Sequence, residues 1–314
     1  MNSGWPFPFV VGCDRSGTTL VRAMLDSHPA LAVPSESYFP LDLLRRASEF
    51  ERDGRVDIAL LLADLRPRVR WQRWELPEDD VRARLTADAP SDIPDAIRSL
   101  YAAYANHAGK PRWADKTPKF VFAIRTLADA FPESRFVHVI RDGRDVALSR
   151  ADAGWRLRNI GTEALRWCTH VEAGRAQGAA LGDHRYYELR YEELVSDPES
   201  RMKEVAEFLD LDWDAQMLRY HERADEVVRS VGHPKLHGNI ARPPTPGIRD
   251  WRRDLTASDI RGYDAVAGKT LERFGYERHS ASTAPSDRMR AAVVRARWTL
   301  ARGTRKVSGA GVAP

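Results

Sequence analysis

The chain has 314 residues, of which 43% are hydrophobic and 30% are charged. This balance indicates a globular protein with one large core or two smaller ones, and it excludes a chain that is disordered throughout. Residues 281–314 hold seven basic side chains and one acidic side chain, so they contribute +6 to the net charge of +4 and the rest of the chain contributes −2. A basic tail of this kind does not indicate that the whole protein binds nucleic acid.

The cysteines and the N-terminus bear on the compartment. Cys13 and Cys168 are too few for a disulfide framework or a thiolate metal site, which favours a reducing environment. The N-terminus lacks the basic start and apolar run of a signal peptide, and no apolar stretch approaches the roughly 20 residues that cross a bilayer. We therefore expect a cytoplasmic protein. Only seven of the 49 basic residues are lysine, a bias typical of GC-rich bacterial genomes.

Apolar runs of strand length alternate with segments of helical periodicity, which is typical of a mainly parallel sheet built from βαβ units. In chain order, the predicted strands span residues 7–12, 30–33, 112–114, 135–140 and 186–190. The predicted helices cover residues 18–27, a segment with Thr117 as its N-cap, a segment that carries Val146 to Leu148, and residues 198–209. The fold class is therefore α/β, with a P-loop-type open sheet flanked by helices.

Two further regions complete the predicted organisation. Residues 40–105 have helical periodicity interrupted at Pro67, Pro77, Pro90 and Pro94, and they predict a helical insertion whose order the sequence does not define. The run SASTAPS at 280–286 indicates a linker. We expect one main domain at residues 1–279, followed at 280–314 by the linker and a basic C-terminal tail that is helical over 287–302.

A glycine-spaced loop joins the first predicted strand to the first helix. Gly12 and Gly17 have the G-x-x-x-x-G spacing of a phosphate-binding loop, whose backbone amides point at an anion. The helix that begins there adds the positive end of its dipole, and the hydroxyls of Ser16, Thr18 and Thr19 add donors. The sequence therefore predicts an anion site at this loop.

The residue directly after Gly17 distinguishes two classes of enzyme. A nucleotide triphosphatase would have a lysine where this chain has Thr18, because that lysine reaches the terminal phosphates beside magnesium. Here the cation of the loop is Arg15, two residues before Gly17. This shift favours a phosphosulfate ligand and leaves a P-loop kinase or nucleotide hydrolase as the alternative.

Four segments resemble the PAPS-dependent sulfotransferase superfamily, where PAPS is 3'-phosphoadenosine 5'-phosphosulfate. VVGCDRSGTTLVRAMLDSHP, from Val10 onward, is similar to the 5'-phosphosulfate loop of the R-S-G-T-T-L branch, which includes protein-tyrosine sulfotransferases. IRDGRDVALS at 140–149 resembles the 3'-phosphate motif, RYEEL at 190–194 a later strand and turn, and WRR at 251–253 the C-terminal signature. The resemblance covers most of residues 8–255 and implies transfer of a sulfuryl group from PAPS to a hydroxyl, with adenosine 3',5'-bisphosphate as the product.

Ligands of an open parallel sheet lie beyond the carboxyl ends of its strands. The predicted strand ends deliver a set of cations, hydroxyls and one carboxylate to this edge: Arg15, Thr19, Glu36, Lys116, Arg141 and Tyr191. By resemblance and position, Glu36 is expected to be the general base, and Lys116 and Arg15 are expected to neutralise the phosphosulfate.

The second half of the expected cofactor site comes from two later segments. Arg141 and Ser149 suit the doubly charged 3'-phosphate, because an arginine fork makes charge-assisted bonds to it. The resemblance places Tyr191, and Arg249 or Arg242 of the proline-rich loop before Trp251, at the cofactor as well. Arg144 is expected to belong to a solvated ion-pair turn instead.

The histidines are candidate bases as well, because many cytosolic members of the family use histidine in this role. His28 at a helix end and His138 within a strand are expected to be structural. His233 and His237 lack the carboxylate or cysteine partners of a zinc site. No metal is expected.

A third interpretation concerns the tail, since residues 287–302 combine apolar and arginine side chains as surface-binding helices do. The protein could then be a non-catalytic one that docks on an anionic membrane or a partner, or an enzyme with peripheral membrane contact. The acceptor stays open among phenols, carbohydrates, lipids, other small molecules that carry a hydroxyl, and peptidyl tyrosine. Oligomeric state is not predicted.

Overall fold

The computed structural model describes residues 4–154, 159–223, 238–245, 247–279 and 285–307. His233, His237 and most of the predicted linker lie outside these ranges. Contacts divide the chain into two compact units: unit 1 comprises residues 1–140 and 174–246, and unit 2 comprises residues 141–173 and 247–314. The domain boundary at residue 279 stays a prediction.

The described residues form eight strands, fifteen α-helices and four short 3₁₀ helices. The strands are β1 (Phe7–Gly12), β2 (Leu31–Ala32), β3 (Glu51–Arg52), β4 (Arg55–Val56), β5 (Arg112–Trp113), β6 (Asp115–Lys116), β7 (Ser134–Ile140) and β8 (Tyr186–Arg190). The helices are α1 (Thr18–Asp26), α2 (Phe39–Arg45), α3 (Ala47–Phe50), α4 (Ile58–Leu65), α5 (Val69–Gln72), α6 (Glu78–Asp88), α7 (Ile93–His107), α8 (Ile124–Ala130), α9 (Gly143–Asp152), α10 (Ile160–Gly178), α11 (Tyr191–Ser196), α12 (Pro198–Phe208), α13 (Trp251–Asp254), α14 (Ala257–Arg273) and α15 (Pro285–Val307). Short 3₁₀ helices span Pro118–Phe122, Ala179–Leu181, Ala215–Arg223 and Gly238–Ala241.

The main sheet of unit 1 has the strand order β6-β1-β7-β8, and each neighbouring pair is parallel. Every residue of β1 is buried, as expected for a central strand that is covered on both faces. Phe7 and Phe9 pack into a cluster with the helices between α2 and α8, whereas Val10 belongs to a second cluster with α1 and α12. The α/β class with a mainly parallel sheet is therefore confirmed.

The predicted strand at residues 112–114 differs from the structure. β5 pairs with β2 outside the main sheet, with Ala32 opposite Trp113. The chain then changes sheets at Ala114, and the next two residues form β6 beside β1. The residues after position 114 were expected to follow a strand, but Asp115 and Lys116 themselves form one. The sequence did not predict this strand, because a two-residue polar segment has no apolar periodicity.

The segment after β6 also differs from its prediction. Thr117 was expected to cap an α-helix, but residues 118–122 form a 3₁₀ helix and the Thr117 side chain makes no cap hydrogen bond. Its hydroxyl accepts from the backbone N–H of Ser37 at 3.2 Å and lies 3.3 Å from the Asp115 carboxylate. A tertiary partner has replaced the local cap.

The helical insertion spans α2 to α7. Its prolines lie at helix boundaries: Pro77 immediately precedes α6, and Pro94 is in the first turn of α7, where Asp92 accepts a hydrogen bond from the Asp95 backbone. Trp74 and Tyr101 of this insertion are buried and lie 4.9 Å apart by ring centroids. The insertion therefore contributes an aromatic core to unit 1.

His28 and His138 are structural, as predicted. Nε2 of His28 is 2.8 Å from the carbonyl oxygen of Asp212, and its Nδ1 accepts from the backbone of Ala30. His138 is fully buried in β7, with its Nδ1 2.6 Å from the hydroxyl of Tyr186.

Unit 2 contains α9, the first part of α10, α13, α14 and α15. Trp167 of α10 donates from its indole to the carbonyl of Arg141 at 2.9 Å and packs beside Tyr263 of α14. A Cβ atom at Gly143 would lie 1.9 Å from the hydroxyl of Tyr263, so only glycine fits at the start of α9.

Arg144 corrects one prediction. It forms the expected ion pair, at 2.7 Å from Asp142, but it is fully buried and not solvated. Its guanidinium also lies 3.5 Å from Asp264 and 3.5 Å from the ring centroid of Trp251. Because a buried arginine requires this set of partners, Arg144 ties α9 to α13 and α14.

The tail contains α15, which packs against α14. Ala291 is buried, and the guanidinium of Arg295 donates to the carbonyl of Val266 at 2.8 Å. None of the described helices combines the length and apolar content that crossing a bilayer requires.

Candidate active site

The loop between β1 and α1 is closed by its own hydrogen bonds. Both the backbone N–H and the hydroxyl of Ser16 donate to the carbonyl of Cys13, at 3.1 and 2.7 Å. Arg15 adopts a positive φ of 75°, an uncommon conformation for a residue with a Cβ atom. Ser16 thus shapes the loop, and its role toward a ligand stays a prediction.

Gly17 is required by both backbone conformation and space. Its φ is 101°, and a Cβ atom there would come within 2.3 Å of the ring of Tyr191. Glycine tolerates this φ without steric cost. The same contact shows where the predicted residue Tyr191 lies: its ring packs directly against the phosphate loop.

The N-terminus of α1 is open to an anion. Gly17 offers no side-chain cap, and the first turn of the helix holds no acidic residue. The first amides of a helix, here those of Thr18 and Thr19, have no acceptor within the helix, and the helix dipole adds positive potential at this end. The arrangement fits a phosphate or sulfate group.

An ion pair between Glu36 and Lys116 lies on the strand beside this loop. Lys116 pairs in register with Val10 of β1 and is only 1% exposed. Its Nζ donates to Oε1 of Glu36 at 2.8 Å, and Nη1 of Arg70 lies 3.4 Å from Oε2 of the same carboxylate. The structure therefore brings two predicted catalytic residues together and adds a second cation, Arg70.

The electrostatics of this group favour an ionised carboxylate. Burial by itself would raise the pKa of Glu36, but Lys116 and Arg70 outweigh burial and hold the pKa at about 2. The hydroxyl of Tyr38 also donates to this carboxylate. Burial and the charges of Glu36 and Asp14 raise the pKa of Tyr38. Since Asp14 belongs to the phosphate loop, that loop and the Glu36 segment lie close together.

Sequence reasoning missed four residues of this site: Arg70, Tyr38, Ser37 and Asp115. Arg70 lies 34 positions after Glu36 on the short helix α5, and nothing in its local pattern marks it. Tyr38 and Ser37 adjoin the predicted base, so a search for hydroxyls next to Glu36 could have found them. Asp115 lies between the predicted strand at 112–114 and Lys116, and its local sequence does not mark it as part of the site.

Three of the remaining predicted residues, Arg141, Ser149 and Arg249, lie in unit 2, whereas Arg242 lies in unit 1. Arg141 and Ser149 are 6% and 2% exposed, and Nη2 of Arg141 lies 3.9 Å from the Asp145 carboxylate. Arg249 donates to Asp152 of α9 at 2.8 Å. The roles of these residues toward a cofactor stay predictions. Within the described residues, no group of three or more histidine, cysteine or acidic side chains is arranged to hold a metal ion.

The sequence matches a known protein family. Residues 6–215 match the sulfotransferase family. The chain therefore belongs to the sulfotransferase family, and it is a sulfotransferase enzyme. This result decides against the kinase or hydrolase and the non-catalytic interpretations.

Relatives from animals carry a more specific name. The chain is 25% identical over 278 residues to protein-tyrosine sulfotransferase A of Caenorhabditis elegans, covering 87% of this chain and 67% of that protein. It is also 25% identical over 299 residues to protein-tyrosine sulfotransferase 1 of Danio rerio, covering 89% and 74%. The predicted resemblance to the branch that includes these enzymes is confirmed.

Solved structures show the same fold. The sulfotransferase domain of the Synechococcus PCC 7002 olefin synthase aligns with a TM-score of 0.58 and 24% identity, covering 87% of this chain and 95% of that one. The sulfotransferase domain from the curacin biosynthetic pathway aligns with a TM-score of 0.53 and 17% identity, covering 87% and 98%.

The Glu36–Lys116 pair makes a testable contribution to stability. Because the pKa of Glu36 is lowered from 4.5 to about 2, the pair stabilises the folded state fully above pH 4.5 and loses this effect as the pH falls toward 2. We expect Glu36→Gln to lower the free energy of unfolding at pH 7 by on the order of 3 kcal/mol. In urea titrations, the difference in free energy of unfolding between this variant and the unmodified protein should be roughly 1 kcal/mol smaller at pH 3.5 than at pH 7. A difference that is equal at both pH values would contradict the assigned pair.

Proposed function

We propose that this sulfotransferase transfers a sulfuryl group from PAPS to a hydroxyl of its acceptor, with Glu36 as the general base. The proposal rests on the ion pair in which the Glu36 carboxylate lies 2.8 Å from the buried ammonium group of Lys116. Lys116 is in register with Val10, two residues before the loop that leads to the uncapped end of α1. A base, a cation and an anion site thus occur in one small region of unit 1.

The residues present fit the donor. When bound, PAPS supplies an activated sulfuryl group, and the acceptor oxygen forms a new S–O bond as the S–O bond to adenosine 3',5'-bisphosphate breaks. The amides of Thr18 and Thr19 and the guanidinium of Arg15 would hold the anionic phosphosulfate. Lys116 would neutralise negative charge on the departing oxygen. This scheme uses no metal ion.

Glu36 has the chemistry of a proton acceptor whose strength depends on its neighbours. The carboxylate is ionised at neutral pH. A pKa near 2 nevertheless makes it a weak base as long as Lys116 and Arg70 are paired with it and no other anion is present. An anion that shares Lys116 reduces the positive potential at Glu36, and its pKa then rises. The proton of the acceptor hydroxyl would move to Glu36 under those conditions. Coupling of this kind would favour proton transfer after the donor has bound.

The 3'-phosphate of the donor is assigned to a second set of residues. On the family resemblance, Arg141 and Ser149 bind this group, and Tyr191 and Arg249 also contact the cofactor. The burial of Arg141 supports the assignment, because a charge held away from water gains more from an anionic partner. Arg249, which donates to Asp152, would need to exchange this partner.

A phenolic hydroxyl is the acceptor class that the relatives favour, since the proteins from Caenorhabditis elegans and Danio rerio are protein-tyrosine sulfotransferases. Carbohydrate, lipid and other small-molecule hydroxyls are the alternative acceptors. The cytoplasmic location and the bacterial source stay predictions from the sequence.

The nucleotide specificity can be tested by thermal unfolding. Adenosine 3',5'-bisphosphate at 100 times its Kd should add about 2.7 kcal/mol to the free energy of unfolding and raise Tm by several degrees. ATP with magnesium at the same concentration should have a much smaller effect. Stabilisation by ATP with magnesium and not by the bisphosphate would overturn the proposed donor.

The proposed roles of Glu36 and Arg141 separate in kinetics. Glu36→Gln should lower kcat by about 10²-fold or more, because it removes the proton acceptor. It should not weaken the affinity for adenosine 3',5'-bisphosphate, since the anion then no longer competes with Glu36 for Lys116. Arg141→Ala should mainly raise the Kd of the bisphosphate. Isothermal titration and steady-state rates measure the two quantities. Equal effects of both substitutions on affinity would contradict the assigned roles.

We also propose that α15 contacts an anionic membrane surface. Met289 and Leu300 are 71% and 70% exposed, and Val293 is 46% exposed, although all three are apolar. Arg290 and Arg297 of the same helix are also exposed. Apolar side chains among arginines on one helix suit the boundary between headgroups and acyl chains.

Vesicle flotation tests this contact. The full chain should float with phosphatidylserine vesicles and not with phosphatidylcholine vesicles, and the double substitution Met289→Asp with Leu300→Asp should abolish flotation. Val69→Asp, which changes a 60% exposed apolar residue on α5, is the matched control and should float normally. Equal flotation of the double variant and the control would dismiss the membrane contact.

A further inference from the structure

Asp115 is a fully buried carboxylate that the proposed reaction does not use directly. It precedes Lys116 on β6, and successive side chains of a strand point to opposite faces. Its Oδ2 accepts hydrogen bonds from the hydroxyl of Tyr101 at 2.6 Å and from that of Ser37 at 2.7 Å, and the Thr117 hydroxyl lies at 3.3 Å. Burial raises the pKa of Asp115 to about 6. A buried carboxylate is costly, and the hydrogen bonds from these hydroxyls offset part of that cost.

Two of these three hydroxyls connect the segments of Glu36 and Lys116. Ser37 follows Glu36 in sequence, and Thr117 follows Lys116. The backbone N–H of Ser37 also donates to the Thr117 hydroxyl at 3.2 Å. Two parallel links therefore join these segments: the ion pair of Glu36 with Lys116, and the hydrogen-bond cluster of Ser37 with Asp115.

The helical insertion also contacts the segment around Glu36. The indole N–H of Trp74 donates to the carbonyl of Ser35 at 3.1 Å, so the residues on both sides of Glu36 are anchored. Tyr38, the next residue along, has a positive φ of 56°, a conformation that persists only where neighbouring contacts hold it. Tyr101 reaches Asp115 from α7 of the same insertion.

We propose that Asp115 is a positioning residue: with Tyr101 and Ser37 it fixes Glu36 against Lys116 in the geometry that proton transfer requires. This inference rests on the proposed function of Glu36 and Lys116. It also gives the helical insertion a role, because Tyr101 and Trp74 both belong to it. A displacement of the base by about 1 Å is enough to slow such a reaction strongly.

The first test compares substitutions that keep side-chain size. Asp115→Asn and Tyr101→Phe should each lower kcat by about tenfold or more, with the Kd of adenosine 3',5'-bisphosphate changed by less than about twofold. The matched control is Tyr104→Phe, since Tyr104 lies one turn further along α7 and also packs on Trp74, but its hydroxyl bonds to Arg22. This control should change neither quantity by more than about twofold. If Asp115→Asn does not fold, Tyr101→Phe decides the question.

A double-mutant cycle separates positioning from a general structural effect. If Tyr101 acts through the base, Tyr101→Phe should cause no further loss of kcat once Glu36 has been changed to Gln. Additive losses in the cycle, or equal kcat values for Tyr101→Phe and Tyr104→Phe, would overturn the positioning role. The proposed function is judged separately: if Glu36→Gln by itself leaves kcat unchanged, the assignment of the base fails.

Discussion

Lys116 is a lysine that water hardly reaches, and a buried ammonium group needs an anion within hydrogen-bond distance. Glu36 supplies that anion at 2.8 Å, and the pair sets the electrostatics of the whole candidate site. The carboxylate stays ionised because Lys116 and Arg70 lie beside it. The same attraction limits its basicity, so a second anion that competes for Lys116 would change the state of both partners. In the proposed reaction, charge balance at this pair would couple donor binding to proton transfer.

The site combines two kinds of positive potential. One is the side-chain charge of Lys116 and Arg70, and the other is the uncapped N-terminus of α1, where backbone amides point outward. Gly17 makes the second possible, because no other residue would fit between the loop and the ring of Tyr191 at that φ. A helix end is rigid, whereas the Glu36 segment is a loop that other contacts must hold. The Glu36 segment is anchored by hydrogen bonds at Ser35 and Ser37, on both sides of Glu36.

Those anchors come largely from the helical insertion. Trp74 and Tyr101 are core residues of unit 1, and each also donates one hydrogen bond at the Glu36 segment or the strand beside it. Aromatic side chains with a polar atom at one end suit this double use, since the ring is buried in the core while the N–H or O–H finds an acceptor. Packing of the insertion and geometry of the site are therefore connected through the same two residues.

The features that could be predicted from the sequence are those that depend on short stretches of chain. The central strands, the phosphate loop at Gly12 to Thr19 and the family follow from apolar runs, glycine spacing and short motifs, all of which act over a few residues. Glu36 and Lys116 could be singled out by the family resemblance together with their positions after predicted strands. Tertiary structure alone decided that Asp115 and Lys116 form a main-sheet strand and that Arg144 is buried. It also decided that Arg70, Tyr101 and Trp74 meet the Glu36 segment. These contacts join residues that are tens of positions apart, and such pairings depend on how helices pack, which no local pattern records.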